Sequence, residues 1–124
     1  MHTLRDQKTP AFCRGYIRAI EQAEALFEHT YSQQPISSAC IKPANEAAYR
    51  WSTQPMLSKV EREEAHGEFR AWQDINSFCV EFLVGWDKSV FDCWLTLRKL
   101  MAMRHLEYVS WPEAPPIEAK GMDL

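Results

Sequence analysis

Stepping by threes and fours from Phe69 picks out Trp72, Asn76, Cys79, Leu83, Trp86, Val90, Cys93, Leu97, Leu100 and Arg104, a nearly continuous apolar stripe at helical period that ends on a basic residue. The stretch from Phe69 to Val109 holds most of the large apolar side chains, so the rest of the chain is expected to pack against it. Gly85, Trp86 and Asp87 interrupt it as a stop followed by a new cap: glycine can take the left-handed conformation that ends a helix, and Asp87 can accept from the next helix's first N–H groups. A helical hairpin or sharp kink follows. The helix after it, about 88 to 109, has Lys88, Asp92, Thr96, Lys99, Met103 and Glu107 as one narrow outer stripe and is apolar over most of its remaining surface. Such a pattern places it at the centre of the fold.

The first half reads as a second amphipathic unit. Thr9 before Pro10 is a helix start, with the hydroxyl capping free N–H groups and the proline where its missing N–H costs nothing. Phe12, Tyr16, Ile20, Ala23, Phe27 and Tyr31 share one face, which predicts a helix from about 10 to 32 ended by Pro35. Gly15 inside it marks a close crossing with another helix. Residues 33 to 43 read as a Ser- and Pro-rich loop pinned by Ile36 and Ile41, and Ala44 to Trp51 as a short helix held by Tyr49 or Trp51. Ser52, Thr53 and Pro55 signal a third start near Met56, and Gly67 a break within the helix that follows. Phe78 to Val84 has the β-branched and aromatic content of a buried strand, although its flanks keep the helical period.

The expected architecture is therefore an all-α single-domain bundle of about four helices, three long and one short. Residues 1 to 8 form a flexible lead-in, 9 to 109 the helical domain and 110 to 124 an extended proline-rich tail. The alternative is an α+β fold with a strand at 78 to 84.

Composition changes this picture little. The 124 residues suit one domain, and seven Pro against four Gly favour helices with stiff connections. A net charge of −3 gives no overall field for nucleic acid or acidic membranes. No apolar run approaches the ~20 residues that cross a bilayer. Met1 to Pro10 lacks an export signal, which with free thiols predicts a cytoplasmic protein.

The candidate chemistry is sparse. Cys13, Cys40, Cys79 and Cys93 show no ligand pairs at zinc spacing, and Cys79 and Cys93 lie on the apolar stripe as core thiols. Glu63 and His66 form one ExxH pair, whereas di-iron bundles need two such pairs and two more glutamates. With Glu61, Glu64 and Glu68 on the same turns, that segment reads as a solvated acidic face. No nucleophile signature or glycine-rich phosphate loop occurs. Arg5, Lys8, Arg14 and Arg18, or Arg98, Lys99 and Arg104, are the basic groups that a nucleic acid could use, but acidic residues neighbour most of them.

Five Trp and four Tyr exceed what one small core hides. Arg50 and Trp51 on the short helix, and Trp111 opening the tail, are the expected partner-binding residues, since Trp and Arg anchor interfaces. The expectation is thus a non-enzymatic protein-binding protein without cofactor, an inhibitor or adaptor docking on a larger protein, the outline shared by small accessory proteins of phages and plasmids. A helical metal-dependent enzyme using Glu63 and His66 is the first alternative, and a nucleic-acid-binding helical protein the second.

Overall fold

A computed structural model describes residues 9–53, 58–81 and 86–110. They fold as five helices, α1 (Pro10–Leu26), α2 (Gln33–Ala39), α3 (Ile41–Thr53), α4 (Lys59–Glu81) and α5 (Lys88–Ser110), with no strand among the described residues. The all-α expectation holds, and Phe78 to Glu81 are the last turn of α4. The lead-in, Met56, Leu57, residues 82–85, Trp111 and the tail beyond it lie outside the described residues.

The caps follow the local chemistry. The Thr9 hydroxyl accepts from the Phe12 N–H at 3.1 Å, with Pro10 in the first turn of α1. Ser58 and Glu61 form a reciprocal capping box on α4, each backbone N–H donating to the other's side chain at 2.9 and 3.1 Å. This box replaces the expected start near Met56, and Ser52 and Thr53 instead end α3, with the Ser52 hydroxyl turned back on the Ala48 carbonyl. Asp87 caps α5 as expected, its carboxylate accepting from the Ser89 N–H at 2.7 Å.

Three expectations about the first half need correction. α1 stops at Leu26, so Phe27 still reaches the core at 3% exposure while Tyr31 lies out at 65%. Residues 33 to 43 are helical: Pro35 and Pro43 sit in the first turns of α2 and α3, where no intrahelical N–H bond is lost. Ile36 is fully buried, but Ile41 is exposed, and α3 is seated by Ala47 and Trp51, not Tyr49.

The hub is α4, not α5. α4 packs against α1, α2 and α3, whereas α5 approaches only α1 closely and reaches α4 through side chains. The α1–α4 crossing is made by Gly15 and Gly67. A Cβ on Gly15 would lie 2.0 Å from the Glu64 carbonyl oxygen, and one on Gly67 would lie 2.0 Å from that of Phe12, so the backbones touch. Gly15 marks the close crossing its position suggested; Gly67 is its counterpart, not a break.

The core joins Phe12, Ile20, Phe27, Ile36, Trp72, Ile75, Phe78, Phe91 and Leu95. Among the described side chains of α5 only Phe91 and Leu95 are fully inside, with Trp94 and Ala102 packed at the edge. The apolar stripe read from Phe69 therefore does not keep its phase on α5. Val90, Leu97 and Leu100 are 47–54% exposed, and Cys93 is the exposed thiol while Cys13, Cys40 and Cys79 are buried. Because α5 is apolar nearly all round, the pattern could not choose which side faces inward.

α5 is clamped by a polar fork. The Tyr16 hydroxyl donates to Asp74 at 2.6 Å, and Arg98 donates to both Asp74 and the Tyr16 oxygen at 2.9 and 3.0 Å. Asp74 also pairs with Arg70 one turn earlier on α4, at 3.1 Å, and through Tyr16 and Arg98 joins three helices. Burial, then the Asp74 charge, pushes the Tyr16 phenol above its usual range.

Candidate functional site

The open cleft described in the structure, about 400 Å³, lies at the junction of α3 and the first half of α4. Trp51, Lys59, Arg62, Glu63 and His66 line it. It thus unites two sets of residues that the sequence suggested separately, Trp51 from the interface reading and Glu63 with His66 from the metal reading.

Its wall is a stack of rings. The imidazole of His66 lies flat on the indole of Trp51, with centroids 3.9 Å apart and planes 5° apart, and meets the Phe12 ring edge-on at 5.1 Å. Phe69 supports the indole from the next turn, at 5.6 Å. Burial, then the nearby Arg70 charge, lowers the His66 pKa, with Glu63 opposing. The result is a neutral imidazole near pH 7, suited to stacking more than to carrying charge.

The polar rim is partly committed. Glu63 accepts the Thr9 hydroxyl at 2.9 Å, so the residue that starts α1 also orients a carboxylate of the cleft. Arg62 donates to the Trp51 carbonyl at 3.2 Å, closing the end of α3 onto α4. Lys59 reaches Glu63 only at 4.0 Å, and its side chain is 88% exposed. The rim therefore carries two cations to one carboxylate. Among the described residues no group of three or more His, Cys, Asp or Glu is placed to hold a metal, and the carboxylates of the ExxH turns point to other partners.

Those partners define the floor beside the cleft and correct the expected acidic surface. Glu64 takes Arg14 and Arg18 at 3.5 and 3.3 Å, and Glu68 takes Arg18 and Arg50 at 3.4 and 2.6 Å. The chain Arg14, Glu64, Arg18, Glu68, Arg50 runs across α1, α4 and α3, and Glu68 is 7% exposed. Placing Glu68 inside works because two guanidinium groups meet its two oxygens. Arg50, expected as an anchor, is held in this network with part of its side chain still exposed.

Four of the basic groups considered for nucleic acid, Arg14, Arg18, Arg98 and Lys99, are also engaged. Arg14 and Arg18 face Glu64 and Glu68, Arg98 faces Asp74, and Lys99 bonds Glu24 at 2.8 Å. Away from the cleft, Cys40 and Cys79 lie buried near each other. Burial raises both thiols, Cys40 to about 12 with a further push from Cys79, and Cys79 to about 11, so both stay protonated and unreactive at neutral pH.

No helix among the described residues is long and apolar enough to cross a membrane. Comparisons with protein-family models, curated proteins and solved structures find no match to this chain. The functional reading rests on its own residues.

Proposed function

We propose that this chain is a non-enzymatic docking protein of the cytoplasm, an inhibitor or adaptor that engages a larger protein through the Trp51–His66 cleft. The observation that carries the reading is the parallel stack of indole on imidazole at an open wall. An aromatic ring already fixed in place loses little side-chain freedom when a partner covers it, which is how a small surface becomes an anchor. Lys59 and Arg62 on the rim favour a partner segment that pairs an acidic side chain with an apolar one. Arg50 extends the same surface along α3. Glu63 and His66 serve the shape of the cleft, one bonded to Thr9 and the other stacked.

The test is capture with the purified full chain, followed by direct titration of the captured protein against variants. Trp51→Ala is expected to weaken binding at least tenfold and Lys59→Glu about threefold, the second without a folding cost because Lys59 is almost fully exposed. A partner held equally by both variants would remove the cleft from the interface.

A further inference from the structure

Apart from the cleft, the least satisfied surface among the described residues is the outward side of α5. Val90, Leu97, Leu100 and Met101 are each about half exposed there, and Cys93 is exposed beside them. Positions 90, 93, 97, 100 and 104 alternate in steps of three and four, the spacing that packs one helix along another at a shallow angle. A single helix in water has no use for such a seam.

The ends of the seam carry opposite charges. Exposed Asp87 stands at its beginning and exposed Arg104 at its end. A parallel pairing of two such helices sets Arg104 beside Arg104. An antiparallel pairing sets each Arg104 beside the other copy's Asp87, opposes the two helix dipoles, and brings Val90 against Met101, so the surface is complementary to itself. The cleft is lined from α3 and α4, leaving both clefts of such a pair open.

We infer that the outward face of α5 is the interface of a homodimer, two copies pairing these helices antiparallel about a two-fold axis between Cys93 and Leu97. One helix face from each copy makes a small interface, and the dissociation constant falls on the order of micromolar.

Sedimentation equilibrium of the full chain tests this. The wild type should pass from monomer to dimer over the micromolar range, and Leu97→Glu should remain monomeric, with helicity and melting temperature equal to the wild type's at concentrations where both are monomers, since Leu97 contributes little to the monomer core. Arg104→Asp should weaken the dimer several-fold. Mild oxidation reads the direction of pairing: antiparallel helices keep the two Cys93 residues beyond the ~7 Å that a disulfide spans between Cα atoms, and parallel ones bring them together. A wild type that stays monomeric at hundreds of micromolar, a dimer that survives Leu97→Glu, or rapid cross-linking through Cys93 would each overturn the proposal.

Discussion

α4 and α5 are both 23 residues long, yet they are held in opposite ways. α4 is enclosed by three helices, with its backbone touching α1 at one glycine pair and its carboxylates answered by arginines on both flanks. α5 rests mainly on α1, keeps two of its described side chains fully inside, and is fastened by the Arg98 fork. The more apolar helix is the less buried one. Apolar content alone thus does not fix a helix's place in a small bundle; what fixes it is where backbones can approach and where polar groups find partners.

The sharpest way to break that contrast is at the crossing. Gly67→Ala sets a methyl group 2.0 Å from a carbonyl oxygen that cannot move without shifting α1. We expect a loss of about 3 kcal/mol or more in urea unfolding, at or beyond the upper end of the ordinary cost of overpacking. A loss below about 1 kcal/mol would mean that the helices separate easily and that α4 is not the hub.

Leu95 and Leu97 set the two sides of α5 against each other, at 1% and 54% exposure. Leu95→Ala should cost about 3 kcal/mol and Leu97→Ala under about 0.5 kcal/mol, read on the monomer at low concentration. Equal costs would erase the distinction between inner and outer faces.

Glu68→Ala should cost roughly 2 kcal/mol in the same unfolding measurement. It leaves Arg18 and Arg50 without their shared carboxylate, but both side chains are 40–45% exposed and water recovers part of the loss.

The smallest effects are those of pH. His66 has a folded-state pKa below its unfolded value, so the unfolded chain takes up the proton first as pH falls. Stability should therefore decline below about pH 6.5 and level off once the folded form is also protonated. His66→Phe, which keeps the stack, should flatten that part of the profile. Tyr16 works at the other end: its raised pKa makes stability fall as pH climbs past 10, and Tyr16→Phe should reduce that decline to the part left by the buried Cys40 and Cys79 thiols.

These contrasts also show how far the residues alone could be read. The starts of α1 and α5 were legible because Thr9 with Pro10 and Asp87 after Gly85 are local signals with one meaning. Pro35 was not, since a proline can close one helix or open the next, and only the buried Ile36 decides between them. Gly67 and Glu68 looked like a break and a surface charge because their partners, Phe12 and Arg50, are distant in sequence. In the cleft, Trp51 and the Glu63–His66 pair each stood out by residue type. Their meeting depends on how α3 returns along α4, which no spacing within one segment encodes.

The Thr9 hydroxyl accepts the Phe12 amide and donates to Glu63, so it belongs to a helix end and a cleft wall at once. Anything that draws the Glu63 carboxylate toward an occupant of the cleft loosens the first turn of α1. The hydrogen-exchange rate of one amide, at Phe12, is thereby a built-in gauge of whether the cleft is filled.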